Sequence, residues 1–530
     1  MRLAALAHTE LRCRRLPGHP EVRQPQASER GGVHLTLTPL GLDPTSDEPL
    51  YRQLRRALEH SIVAGLLDRS RPLPSSRELS RELALSRNTV NLAYQELIAE
   101  GFVESRPRSG LFVNLELREA LAHERPEREP PDRYDWSARL GPAERDGLPR
   151  MEKPARWYET PYPFVGGHVD VWTFPSRAWL RALREALYFP HVYHSLQDSQ
   201  SADDPLLVNM VCRHILPGRG IEATSDQVLI TLGSQHGLHL VAELLLSAGA
   251  RVAVEEPGYP DAWHVFRRAG AELVPVPVDG SGIVPDAGLE SSELLYVTPS
   301  HQYPTNVTLS AARRKQLLAI TRRTDLVVVE DDYDSEFRYQ GRPTPSLKSL
   351  DDSDRVIYLG SFSKFLAPGL RLGFVVAAPE LVARMREQRR MTVRHPPGHT
   401  QRALALFVQS GDYLRAVRAL RKQLKQKWEL MTEAVDRCVP WWNSAPPSGG
   451  LSLWLTGPPS FDARALALAA AERGVLVEPG DTFFLTSPRP TNHLKLGFTA
   501  VRAAAIGEGI RLLGEVLEEG SGSPQLDPSW

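Results

Sequence analysis

The sequence predicts an α/β protein in two folded parts: a small N-terminal winged helix-turn-helix and a large domain built on a mainly parallel sheet. Three observations carry this expectation. At 530 residues the chain is too long for one ordinary hydrophobic core. Between residues 49 and 113, three helical patterns are followed by a hairpin pattern. From Pro161 onward, buried strand runs alternate with helical stretches, the order expected of a parallel sheet covered on both faces.

Composition narrows the class. Hydrophobic residues make up 42% and charged residues 24%, the balance of a globular protein. No apolar run approaches a membrane span, and the Arg-containing N-terminus lacks a continuous signal-peptide core. A cytoplasmic protein with no membrane partner is expected. Cys13, Cys212 and Cys438 are far apart and without clustered histidines, which argues against a disulfide framework or a metal site. Net charge of −1 gives no whole-chain signal for nucleic acid, but residues 49–113 hold ten arginines against seven acidic residues. Residues 1–34, rich in Arg, Pro, Gln and Gly without periodicity, are expected to be a disordered extension.

The N-terminal module occupies residues 35–114. Pro49-Leu50-Tyr51 opens an amphipathic helix with Leu54, Leu58 and Ile62 on one side, ending at Gly65. Pro74-Ser75-Ser76 begins a second helix, supported by Glu78 in its first turn and reaching about Leu83. Ser86 can cap a third, which runs through Val90, Ala93, Tyr94 and Leu97 to Gly101. Two short helices joined this closely form a helix-turn-helix. Residues 102–105 and 111–113, around the basic tip Arg106-Pro107-Arg108-Ser109-Gly110, supply the wing.

Early residues of a recognition helix meet base edges, while wing residues meet phosphate or the minor groove. The expected contacts to double-stranded DNA are therefore Arg77, Ser86, Arg87, Asn88, Thr89 and Asn91 from the helices, and Arg106, Arg108 and Ser109 from the wing. The alternative is a solvated charged helix face. Clustering of arginines at one helix start and one hairpin tip favours DNA. The module resembles the GntR-type winged helix, the match lying in Leu73-Pro74-Ser75-Ser76-Arg77-Glu78-Leu79, Ser86-Arg87-Asn88-Thr89-Val90 and Ser109-Gly110-Leu111-Phe112-Val113.

Residues 115–160 alternate charges and prolines, as in Arg125-Pro126-Glu127-Arg128-Glu129-Pro130-Pro131, with little apolar periodicity. They are expected as a linker, long enough for the winged helix to sit on a neighbouring subunit of a dimer. The large domain is placed at 161–515 and a tail at 516–530.

Within the large domain one stretch organises the chemistry. Gly360-Ser361-Phe362-Ser363-Lys364 follows the apolar run Val356-Ile357-Tyr358-Leu359, so a lysine sits just past a strand end, with Ser361 and Ser363 before it and Arg371 seven residues on. An amine, hydroxyls and a guanidinium that can grip a phosphate in a fork are the equipment of a pyridoxal 5'-phosphate site. The bland alternative is a solvated polar loop. Upstream, Gly233-Ser234-Gln235 follows the buried run Val228-Leu229-Ile230-Thr231-Leu232 at a helix start, where backbone amides bind phosphate; an ordinary helix cap is the alternative. Tyr259 ends a strand where it could stack on a pyridine ring, or stand as a surface tyrosine. The strand Leu326-Val327-Val328-Val329 ends in Glu330-Asp331-Asp332-Tyr333, and burying three carboxylates is costly unless something positive lies there. A protonated ring nitrogen would satisfy Asp331, with Tyr333 near the ring hydroxyl. A metal is the alternative, but no histidines accompany the carboxylates.

These pieces resemble the fold type I pyridoxal phosphate enzymes of the aspartate aminotransferase kind. With the winged helix in front, the chain is similar to the MocR-like branch of GntR regulators, in which an aminotransferase-like domain serves as effector sensor. The match also runs through Thr298-Pro299-Ser300-His301-Gln302-Tyr303-Pro304-Thr305. It implies a smaller C-terminal α+β subdomain and Lys364 as Schiff-base lysine. It further implies Asp331 at the ring nitrogen, Ser234, Gln235, Ser361, Ser363 and Arg371 around the phosphate, and Tyr259 on the ring. Where aminotransferases keep an arginine for the substrate carboxylate, Leu494-Lys495-Leu496-Gly497-Phe498 has Lys495, the expected effector-binding residue, although a lysine cannot make a forked contact. Two functions remain open. One is a regulator whose large domain senses pyridoxal phosphate or its adduct with an amine-bearing effector, in vitamin B6 or amine metabolism. The other is a working aminotransferase with a vestigial winged helix.

Overall fold

The structure is a computed structural model. It describes residues 42–520 except 43–45, 47, 65, 68–70, 108, 115–135, 137–138, 140–146, 152, 155, 167–169, 171–172, 200–201, 342–343, 363, 365, 441 and 443–447. The expected extension 1–34, much of the expected linker, Arg108 and Ser363 lie outside the described residues. The chain divides into a small unit up to residue 141 and a large unit from residue 142.

The small unit contains α1 (Leu50–Val63), α2 (Ser76–Glu82) and α3 (Arg87–Ala99), then β1 (Val103–Arg106) and β2 (Gly110–Val113). The two strands form an antiparallel hairpin in which Val103 faces Val113 and Arg106 faces Gly110. Leu54, Leu58, Ile62, Leu79, Val90 and Leu97 form one core, so each helix contributes the apolar stripe its spacing dictates. Ser75 and Glu78 form a reciprocal capping box at the start of α2. Ser86 caps α3 by accepting from Thr89 N–H at 3.0 Å. The buried Tyr94 hydroxyl donates to the Pro74 carbonyl at 2.8 Å, fixing α3 against the turn that precedes α2.

The large unit is organised on an eight-stranded sheet. Its strands are β4 (Val228–Thr231), β5 (Arg251–Glu256), β6 (Glu272–Asp279), β7 (Gly282–Ile283), β8 (Leu294–Val297), β9 (Val327–Asp332), β10 (Val356–Ser361) and β11 (Gly373–Val376). Their spatial order is β4-β11-β10-β9-β8-β5-β6-β7. Strands β6, β5, β8, β9 and β10 run parallel, while β11 is antiparallel to both β10 and β4. The all-buried apolar interiors of β5 and β10, Val252-Ala253-Val254 and Val356-Ile357-Tyr358, are those of strands covered on both faces, whereas β6 near the edge buries only Val276 fully. Carboxyl ends of the parallel strands therefore share one edge, the usual position of a ligand crevice in such sheets. Helix Ser234–Leu245 packs so closely on β10 and β11 that a Cβ at Gly237 would meet Val375 Cγ2 at 2.9 Å.

A smaller subdomain carries the antiparallel strands β12 (Ser452–Thr456), β14 (Glu478–Pro479) and β15 (His493–Gly497), with β15 in the centre. Beside it β13 (Val475–Leu476) pairs with β3 (Tyr162–Pro163). Helix Ala503–Gly520 runs into the stretch expected as a tail, because Val516 and Leu517 continue its apolar face and are buried. The described part of residues 147–160, expected as linker, lies against the large unit. Leu148 packs on the core around β5, and His264 Nε2 sits 3.0 Å from the Pro149 carbonyl. Proline-rich composition concealed these few anchoring contacts. Among the described residues no helix is long and apolar enough to cross a membrane.

Candidate functional site

The carboxyl ends of β9 and β10 bring the predicted residues together. Along β9, alternation places Glu330 and Asp332 on one face and Asp331 on the other. Glu330 accepts from the backbone N–H groups of Leu347 and Lys348, both at 2.8 Å. Asp332 pairs with Arg219 Nε at 2.6 Å and accepts from the Tyr358 hydroxyl at 2.6 Å. Two of the three costly carboxylates are thus satisfied by the protein.

Asp331 differs. Its Oδ2 accepts from the Tyr296 hydroxyl at 2.7 Å, and its Oδ1 is buried without a hydrogen-bond partner among the described residues. Asp332 Oδ1 is likewise without one, but Arg219 already balances that charge. Burial pushes the Asp331 carboxyl up to about 6, against the pull of Tyr296 and Lys364. An open, buried carboxylate oxygen suits a protonated ring nitrogen.

Lys364 is half-buried just beyond β10, with Nζ 6.0 Å from the centroid of the Tyr333 ring. Burial, followed by the like charge of Lys495, lowers its pKa, while Asp331, Asp334 and Glu478 oppose the shift. A larger share of neutral amine makes a better nucleophile. Tyr303 stands at the centre of an aromatic cluster: Tyr259, Tyr333 and Phe483 meet it edge-on at 5.3, 5.9 and 5.6 Å between centroids. The predicted Tyr259 and Tyr333 therefore share one aromatic wall.

At the far end of β4, Gly233 has φ of 80°, a conformation that glycine adopts freely, and it precedes Ser234 at the first position of helix Ser234–Leu245. Gln235 Nε2 donates to the Asp261 carbonyl at 3.3 Å. Arg371, in the left-handed conformation at φ 48° and ψ 46°, donates to the Leu232 carbonyl at 3.3 Å. A non-glycine residue in that region carries strain of about 1–3 kcal/mol, a cost found chiefly where function demands it. Arg371 and Gln235 border an open basin of about 1080 Å³ with Arg150, His239, Arg267 and Arg268. Ser361 instead borders a separate recess with Asp332, Tyr358 and Tyr413.

Lys495, expected to meet an effector, is buried and already paired: its Nζ lies 2.8 Å from Glu478 Oε2 and 5.0 Å from the Tyr303 ring centroid. Tyr296, Arg219, Glu478 and Lys153 escaped sequence reasoning, whereas Tyr303 belongs to the run Thr298-Pro299-Ser300-His301-Gln302-Tyr303-Pro304-Thr305 that carries the resemblance. Each of the four lies far along the chain from the residue it serves, and none belongs to a spaced motif.

In the small unit, Arg77, Arg87 and Asn88 are exposed, and Thr89 and Asn91 are half-buried. Arg87 Nε donates to Ser76 Oγ at 3.3 Å, tying the start of α3 to the start of α2. The Ser86 hydroxyl is engaged in its cap and lies 2.8 Å from Thr89 Oγ1. Arg106 pairs with Glu104 at 2.6 Å and covers the Phe112 ring at 4.4 Å, so its charge is partly spent within the wing. Ser109 is exposed.

The family model for aminotransferase class I and II matches residues 171–511, and that for bacterial regulatory proteins of the gntR family matches residues 50–113. The chain is 39% identical over 476 residues to the HTH-type transcriptional regulator TauR of Rhodobacter capsulatus, covering 90% of this chain and 98% of that protein. It is 32% identical over 502 residues to the probable rhizopine catabolism regulatory protein MocR of Rhizobium meliloti, covering 92% and 98%. To the HTH-type pyridoxine biosynthesis transcriptional regulator PdxR of Corynebacterium glutamicum it is 32% identical over 417 residues, covering 78% and 84%. Among solved structures, the kynurenine aminotransferase of Pyrococcus horikoshii has a TM-score of 0.66 at 29% identity, covering 73% of this chain and all of its own. An exposed recognition helix and a fold type I domain in one chain have their full-length counterparts in these regulators, and the chain belongs to the MocR-type transcriptional regulators of the GntR family.

Proposed function

We propose that this regulator holds pyridoxal 5'-phosphate in its aminotransferase-like unit and alters its grip on promoter DNA when the cofactor, or its adduct with an amine-bearing effector, is present. The observation that carries the proposal is the juxtaposition of the Lys364 amine, its pKa lowered by burial, with Asp331, whose Oδ1 is buried without a partner among the described residues. When bound, the cofactor supplies an aldehyde for an amine and a ring that withdraws electrons. Lys364 supplies that amine. Asp331 holds the ring-nitrogen proton, Tyr333 faces the ring hydroxyl, and Tyr259 covers the ring. Ser234, Gln235 and Arg371 hold the phosphate, joined by Ser363, while Ser361 stays in its separate recess.

In the small unit, Arg87, Asn88 and Asn91 read base edges, with Arg77 and the wing residues Arg106, Arg108 and Ser109 on the backbone. A ligand shifts this equilibrium only through a difference in affinity between two conformations. A homodimer in which the winged helix lies on the neighbouring subunit fits the length of the intervening stretch. Similarity to PdxR supports vitamin B6 metabolism as the regulated process.

Titrating the protein against its own promoter DNA, with and without pyridoxal phosphate, tests this reading. A change of several-fold in affinity that disappears in Lys364→Ala is expected. Equal affinities, or an unchanged visible absorbance band in Lys364→Ala, overturn it. The likeness of the large unit to the solved kynurenine aminotransferase of Pyrococcus horikoshii, at 29% identity, supports a second reading, a working transaminase. The Lys495–Glu478 pair counts against it, because it replaces a free carboxylate-binding arginine. Turnover of amino donors at ordinary enzymatic rates, with no shift of promoter DNA, would select that second reading.

A further inference from the structure

The stretch that leads from the winged helix forms part of the wall around Lys364. Arg489 Nη2 donates to the Gly147 carbonyl at 2.9 Å, and the Tyr303 hydroxyl lies 3.3 Å from Met151 Sδ. Two residues further on, Lys153 Nζ donates to the Gly166 carbonyl. The N–H of Gly166 in turn donates to Glu478 Oε2 at 2.6 Å, the oxygen that also takes Lys495 Nζ at 2.8 Å. A Cβ at 166 would run into Lys495 Nζ, so a larger residue there would displace that ammonium. Two ammonium groups and one carboxylate are thus gathered on a single residue.

The charges in this niche do not balance. Lys495 is matched by Glu478 and lies against Tyr303, whereas the described contacts give Lys153 only a carbonyl. Groups near Lys153 are Glu478 and Asp261 on the acidic side, and Lys495 and Lys364 on the basic side. Burial, reinforced by the two lysines, brings the Lys153 amine down to about 8 against the pull of the two carboxylates. A like-charged pair in a half-buried niche is relieved when an anion enters.

We propose that Lys153 is a specificity-determining residue of the Lys364 site, selecting a primary amine that carries an anionic group over an amine of the same carbon count without one. The inference rests on the cofactor reading above. Amine exchange takes place at Lys364, and the anionic end of the effector settles between Lys153 and Lys495. Glu478 then serves as the fixed counter-ion that keeps Lys495 in place. Because Lys153 lies on the segment continuing from the winged helix, the residue that reads the effector also belongs to the connection toward the DNA-binding unit.

The test uses the full-length protein loaded with pyridoxal phosphate, titrated with β-alanine and separately with n-propylamine, and followed by the cofactor absorbance and by calorimetry. Wild type is expected to bind β-alanine about tenfold or more tightly than n-propylamine, the scale of one charge-assisted hydrogen bond. Lys153→Gln can still bond the Gly166 carbonyl and is expected to bring the ratio close to one. Lys153→Arg keeps the charge and is expected to retain the preference. The preference should also fade as pH rises through about 8, where Lys153 loses its proton. A cofactor band with a ratio unchanged in Lys153→Gln overturns this inference alone, as does a wild type without preference. A protein that takes up no pyridoxal phosphate overturns the cofactor reading as well.

Discussion

Tyr296 donates to Asp331 Oδ2 at 2.7 Å and leaves Asp331 Oδ1 buried without a partner among the described residues. The tyrosine orients the carboxylate and reserves one oxygen. Asp331→Asn keeps the shape but removes the charge that a protonated ring nitrogen needs. Affinity for pyridoxal phosphate is expected to fall by about one to two orders of magnitude, the range of a charge-assisted hydrogen bond. Spectral titration measures it, and an unchanged dissociation constant would reassign Asp331 to a purely structural part.

The same carboxyl predicts a pH dependence. In the ligand-free protein Asp331 titrates near 6, raised by burial. It is neutral below that value and charged above it. Cofactor affinity should therefore rise as pH increases through about 6, and Asp331→Asn should flatten this limb. A limb that persists in the variant belongs to another group.

Arg219 and Asp332 form a buried pair at 2.6 Å, so removing one partner strands the other. Arg219→Met is expected to destabilise the large unit by about 3–5 kcal/mol. Burial alone would raise the Asp332 carboxyl, but Arg219, Ser300 and Tyr358 outweigh it and hold it below the ordinary value. Its contribution to stability is thus present above the unfolded aspartate value and lost as pH falls through the lowered one. Thermal melts between neutral and strongly acidic pH would show wild type and Arg219→Met converging on acidification. Parallel curves would contradict the pairing.

Arg87 stands exposed at the start of α3. If it reads a base, Arg87→Ala weakens specific binding by about 1–3 kcal/mol and relaxes preference at one position. A uniform loss on all sequences, with a shallower salt dependence, assigns it to phosphate instead.

Ser75 and Glu78 satisfy each other's backbone at the start of α2. Ser75→Ala is expected to cost about 1 kcal/mol, visible as a lower unfolding midpoint in denaturant. A neutral result would mean that packing of Leu79 alone holds α2.

Much of this protein was legible in one dimension because the relevant physics is local. Ser75, Glu78 and Ser86 marked helix starts, since a cap depends on residues three apart. Apolar spacing at Leu54, Leu58 and Ile62 marked the buried stripe of α1. Lys364 could be singled out because it follows the end of β10, and Asp331 because it lies near the end of β9, where parallel sheets expose their chemistry, while Arg371 was marked by its place seven residues after Lys364.

Tertiary structure alone decided which charges meet. Three consecutive residues, Glu330, Asp331 and Asp332, differ only in what the fold brings to them: backbone amides, a tyrosine and an arginine respectively. Lys495 looked like a free cation until β14 placed Glu478 beside it, and Lys153 looked like part of a solvated linker until Gly166 came within reach. Periodicity and caps act across a few residues and are written in sequence. The partner of a buried charge is set by long-range packing, which no local pattern encodes.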